Sequence, residues 1–166
     1  MSIFNLFKPK KKLTPFQEQQ ILNCRRIFTD SMNILMNTKN IETFLSRFNV
    51  MQEIIYEAGR IAGENEPCLN GITPKDALET IQRDMSDLLI PCIDRYMNEQ
   101  TIKICGLSRG RISKAKALVI VAETYQNQIP KDCFDHWIYR IDKLIQKLEK
   151  TELLEKEEKK KLKEQS

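Results

Sequence analysis

At 166 residues with 41% apolar side chains, the chain is of single-domain length and holds enough hydrophobic surface for one sizeable core. Its 27 basic and 23 acidic residues leave a net charge of +4, an ordinary balance that does not by itself assign a nucleic-acid partner. Five glycines and six prolines among many Leu, Ile, Glu, Lys and Gln exclude a sheet protein and imply an all-α fold of long helices joined by short turns.

The N-terminus, "MSIFNLFKPKKK", places a short apolar patch before its positive charge. A secretory leader has the opposite order and a longer apolar core. Residues 1–13 are expected to form a flexible basic lead-in. The competing reading is peripheral membrane attachment, with Ile3, Phe4, Leu6 and Phe7 in the interface and Lys8, Lys10, Lys11 and Lys12 on anionic headgroups. Ser2 stands where a myristoylation motif needs glycine. No run elsewhere is long and uncharged enough to cross a bilayer.

Thr14-Pro15-Phe16-Gln17 has the form of a helix start, with Thr14 as N-cap, Pro15 at the first helical position and Gln17 closing a capping box. Ile21, Cys24, Phe28, Met32 and Leu35 then recur at spacings of three and four, to about Thr38. A second helix from Asn40 carries Ile41, Phe44, Leu45, Phe48, Met51, Ile55, Ala58 and Ala62 on one face and stops at Gly63.

The stretch from Gly63 to Thr73, "GENEPCLNGIT", lacks periodicity and is expected to be the main interior loop and the best internal candidate for mobility. Thr73-Pro74 opens a third helix, carried by Leu78, Ile81, Met85, Leu88, Leu89, Cys92 and Tyr96 to about Ile104. Pro91 should kink or break it, because proline lacks an N–H and its ring clashes with the preceding turn.

A fourth helix is expected after Ser108, with Ile112, Ala115, Leu118, Val119, Ala122 and Tyr125 inward. A fifth follows Pro130 with Phe134, Trp137, Ile141, Leu144, Ile145 and Leu148. Residues 151–166 alternate Glu and Lys, as either a charged helical extension or a frayed tail. Single apolar faces joined by short connections predict an antiparallel four- to five-helix bundle over residues 14–150.

The five cysteines, Cys24, Cys68, Cys92, Cys105 and Cys133, are odd in number and mostly at apolar positions. Reduced, buried thiols in a cytoplasmic protein are expected.

The stretch from Asn37 to Ile55, "NTKNIETFLSRFNVMQEII", resembles a family of uncharacterised all-helical proteins from Gram-positive bacteria and their mobile elements. There an Asn-Thr-x-Lys-Asn-x-x-Thr-Phe-x-x-Arg-like motif joins two helices, here through Asn37, Thr38, Lys39, Asn40, Thr43, Phe44 and Arg47. "SRGRISKAKALVIVAETYQNQIP" is similar to that family's turn between two late helices. The resemblance implies an all-helical cytoplasmic domain and no known activity. Capping by Asn37 and Asn40 and packing of Phe44 and Phe48 account for the motif structurally.

The candidate site is "GLSRGRISKAK", Gly106 to Lys116. On a helix-turn-helix template Arg109, Arg111, Lys114 and Lys116 would meet phosphates or guanine edges. Ile102 occupies a position that usually needs a small residue, and Ala117 to Ala122 reads as a helix built for burial. The favoured reading is a bundle turn with Gly106 as C-cap and Ser108 as N-cap. A third reading keeps the same basic residues and a helix start as a phosphate or nucleic-acid backbone site.

For catalysis, Cys133-x-x-His136 sets a thiol and the only imidazole one turn apart, without a second pair of metal-ligand spacing. Asp84 with Asp87, and Asp132 with Asp135, are expected to be solvated faces or caps. No phosphate-binding glycine loop, metalloprotease helix or nucleophile elbow is present. The expectation is a non-enzymatic protein–protein interaction module, monomer or homodimer, with no catalytic, cofactor or metal residues. Its contact region would be the charged C-terminal helix or the loop from Gly63 to Thr73.

Overall fold

The computed structural model describes residues 12–164. Within them the chain forms six helices and no strand, an all-α fold: α1 (Pro15–Asn37), α2 (Ile41–Ala62), α3 (Pro74–Arg83), α4 (Met85–Cys105), α5 (Arg111–Tyr125) and α6 (Lys131–Glu164). The chain divides into two compact units. One comprises residues up to Thr38 together with Glu42–Leu88, the other Lys39–Ile41 together with the chain from Leu89 onward.

The first unit starts where local chemistry dictates. Thr14 Oγ1 accepts from Gln17 N at 3.2 Å while Gln17 Oε1 accepts from Thr14 N at 3.0 Å, a reciprocal capping box followed by Pro15. Thr73 Oγ1 likewise accepts from Asp76 N at 3.1 Å ahead of Pro74. The predicted stripes are buried at Ile21, Cys24, Phe28 and Leu35 on α1, and at Phe44, Phe48, Met51, Ile55, Ala58 and Ala62 on α2. Phe44 and Phe48 stack with ring centroids 6.5 Å apart.

The stretch from Gly63 to Thr73 is more ordered than its composition suggests. Asn70 (φ 53°) and Gly71 (φ 87°) make a tight turn with positive φ at both central residues, closed by reciprocal backbone bonds between Leu69 and Ile72 at 3.1 and 3.0 Å. The turn is fastened to α1: Arg25 Nε donates to Cys68 O at 2.6 Å and Asn70 Nδ2 donates to Thr29 Oγ1 at 3.0 Å. Leu69 is fully buried. A segment expected to be the mobile one is thus a plug. A short run without periodicity hides a buried leucine, and the bonds made by its neighbours Cys68 and Asn70 reach residues 43 and 41 positions away.

The predicted third helix is two helices. The break falls at Asp84 (φ −91°, ψ 8°), whose N–H still bonds Thr80 O while its carbonyl accepts from Leu88 N. Pro91 lies seven residues further on, inside α4 and exposed. Ile81 is buried on α3, and Leu89, Cys92, Ile93, Met97 and Ile104 are buried on α4.

In the second unit α5 packs on α6. Trp137 is fully buried, with Tyr96 of α4 edge-on at 6.0 Å and Tyr125 of α5 stacked at 6.4 Å. Lys39 of the motif stretch lies in this unit and pairs with Glu99 at 2.7 Å. The region from Thr151 to Glu164, expected as either extension or tail, is the helical continuation of α6.

Truncation of Leu69 to alanine should lower unfolding free energy by about 2–5 kcal/mol, the range for a fully buried leucine. Urea denaturation of the two proteins side by side measures it.

Candidate functional site

The junction between α4 and α5 spans residues 106–110. Its caps differ from the expected ones. Gly110, at φ 70°, is the residue before α5, a conformation that favours glycine, and it offers no side chain to cap the helix. Ser108 lies two residues too early to act as the N-cap, and Gly106 does not adopt the left-handed conformation of a C-cap glycine. Gly106 N donates to Ile102 O, and Leu107 N to Ile104 O, each at 3.1 Å.

The four basic candidates are not equivalent. Arg109, Lys114 and Lys116 are exposed, with no ion pair among the described residues. Arg111 is turned inward, its side chain only 13% exposed, and Nη2 donates to both carboxylate oxygens of Glu155 at 2.9 Å. Its Nε lies 3.9 Å from Glu152 and has no hydrogen-bond partner. The reason is register: α6 continues past Leu148 and brings two glutamates to the first turn of α5.

Ile102 is 73% exposed, so no second helix crosses closely over it. Burial on α5 is confined to Ala115, Leu118 and Ala122, with Ile112, Val119 and Tyr125 half-buried. Ser113, Ala117, Ile120 and Thr124 form the opposite, exposed face, so the run from Ala117 to Ala122 is only partly inside.

Cys133 and His136 lie in different environments. The Cys133 thiol is buried in the core, whereas His136 is exposed and its Nε2 lies 3.9 Å from Asp94. Asp94 itself is held by Arg140, which also donates to Asn98 at 2.9 Å. Cys24, Cys68 and Cys92 are buried free thiols, and Cys105 is exposed. Burial pushes Cys92 up to about 11 and raises Cys24 and Cys68 as well, which disfavours the reactive thiolate. Among the described residues no group of three or more His, Cys, Asp or Glu is placed to hold a metal ion.

Of the acidic pairs, Asp84 binds Arg83 at 2.7 Å and Asp135 binds Lys131 at 2.6 Å. A carboxylate that composition did not single out is Glu99. It receives Lys103 and Lys39, both at 2.7 Å, and these hydrogen bonds, Lys103 first, push its pKa down to about 2. Of the membrane-surface candidates, Phe4, Phe7, Lys8, Lys10 and Lys11 fall outside the described residues, and Lys12 is exposed. No helix among the described residues is long and apolar enough to cross a membrane.

Open clefts lie elsewhere, in the first unit. One of about 380 Å³ sits between α2 and α3 over Ile55, Gly59, Pro74 and Leu78, with Lys75 and Glu79 also lining it. A wider one runs along α1 from Gln19 to Asp30 and reaches Asn70.

Comparison with known protein families, with curated proteins and with solved structures gives no match to this chain.

Two outcomes test this description. Brief iodoacetamide treatment of the native protein at neutral pH should add one label, at Cys105, against five after denaturation; intact mass reads it. Glu99 should titrate near pH 2 by carboxyl NMR, and Lys103→Ala should raise that midpoint. Because its native pKa is depressed, the stability it contributes is complete above the usual carboxylate range and is lost as pH falls towards 2.

Proposed function

We propose that the protein is a non-enzymatic helical interaction module of the cytoplasm that binds a protein partner through the extension of α6. One observation carries this reading. Leu148 is the last buried apolar residue of α6, yet the helix runs on to Glu164 and holds Leu153 and Leu154, 62% and 51% exposed, on a regular frame. From Lys156 to Glu164 every side chain is exposed. A helix that continues beyond its own packing while presenting leucines has the form of a surface for another helix. The loop from Gly63 to Thr73 is the weaker contact region, since Leu69 is spent inside its own unit. Membership of the helical family suggested by Asn37 to Arg47 belongs to the same proposal and adds no activity to it.

A second reading is nucleic-acid or phosphate binding at the start of α5. It is favoured by the exposed Arg109, Lys114 and Lys116 around a helix end whose first turn has neither a side-chain cap nor an acidic residue. Such binding is governed by phosphate contacts and falls steeply with added salt.

The first reading is tested with a photo-crosslinking residue at Leu154 in living source cells, compared with the same residue at Glu42 on the exposed start of α2. A discrete adduct at Leu154 and not at Glu42 is expected. An adduct of twice the 19.5 kDa chain mass identifies the partner as a second copy. Identical background at both positions would overturn the reading.

A further inference from the structure

Glu152 and Glu155 depart from the logic of the helix that carries them. The buried face of α6 runs through Trp137, Ile141, Leu144 and Leu148 at spacings of three and four, and the next positions on that face are Glu152 and Glu155. Charged residues stand there half-buried because Arg111 meets them. The other glutamates at this end of α6, Glu157, Glu158 and Glu164, are exposed.

The surface they meet lacks negative charge of its own. The first turn of α5 has no acidic residue, Gly110 cannot cap it, and Arg109, Arg111 and Lys114 cluster by sequence around a helix end that already carries a partial positive charge. A cation at a helix N-terminus is disfavoured unless an anion accompanies it. Glu155 and Glu152 supply that anion from 44 and 41 positions along the chain, and they take up only Arg111. The contact is a carboxylate engaged by one guanidinium nitrogen, with the adjacent Nε left unbonded. Phosphate oxygens offer a guanidinium the same geometry, so one anion can replace the other without unfolding either helix.

We propose that the extension of α6 is an electrostatic latch over the basic start of α5. Closed, it withholds Arg111 from a nucleic-acid backbone. Open, it adds Arg111 to Arg109, Lys114 and Lys116 and leaves the last turns of α6 without a partner. This rests on the second reading above, that the start of α5 binds nucleic acid.

The test compares full-length wild type with Glu152→Gln/Glu155→Gln and with Glu157→Gln/Glu158→Gln, which makes the same change of net charge away from Arg111. A fourth protein carries Arg111→Gln. Hydrogen exchange is read over residues 149–164, and anisotropy of a labelled single-stranded DNA is titrated at several salt concentrations. Freeing the latch in Glu152→Gln/Glu155→Gln should speed exchange in the extension. It should also tighten DNA binding several-fold more than the control pair does, with a salt slope steeper by about one phosphate contact. Arg111→Gln should speed exchange equally without tightening binding.

Unchanged exchange in both latch variants overturns the proposal, as does an equal gain in affinity from the two double variants. If none of the four proteins binds the strand even at low salt, the nucleic-acid reading itself falls, and the proposal with it.

Discussion

The second unit is organised by the burial of Trp137. Tyr96 meets its edge and Tyr125 its face, so one side chain joins α4, α5 and α6 and sets the register of the last two. With Tyr125 near the start of α6, the helices run antiparallel. Arg111 lies fourteen residues back along α5, about 21 Å, and Glu152 and Glu155 lie fifteen and eighteen residues forward along α6, about 22 and 27 Å. The ion pair at the far end follows from the aromatic contact at the near end. While Tyr125 stays on Trp137, Arg111 and the two glutamates remain within reach of one another.

The first unit rests on a comparable anchor of lower visibility. Leu69 is fully buried, and the bonds from Arg25 and Asn70 fasten its turn to α1. Four of five thiols are buried, the imidazole of His136 lies 3.9 Å from Asp94, and Asp84 and Asp135 pair with neighbouring bases. Arg109, Lys114 and Lys116 at the start of α5, and Leu153 and Leu154 on the α6 extension, are exposed. The latch links them, because the glutamates that neutralise Arg111 sit between Leu148 and the exposed end of the helix.

Much of the helical pattern was legible because it is local. Thr14 with Gln17, and Thr73 with Pro74, satisfy the first N–H groups of their own helices, and the three- and four-residue spacing from Ile21 to Leu35 needs no distant partner to be recognised. Legibility failed where two local signals competed. Pro91 is the stronger breaker on paper, yet the break is at Asp84, and Gly106 and Ser108 resemble caps more than Gly110 does. In the candidate site, exposure of Arg109, Lys114 and Lys116 matched their polarity, whereas the inward turn of Arg111 had no marker in its own neighbourhood.

By itself the sequence determined an all-α chain, most of its helix starts and most of its core residues, since caps and amphipathic periods act within one or two turns. Only the tertiary structure decided that Leu69 plugs the first unit, that α6 runs unbroken into its charged end, and that Arg111 is claimed by glutamates more than forty residues away. Those outcomes depend on which faces meet and at what register. No local preference encodes that, and the packing of Tyr125 on Trp137 settles it for the last two helices.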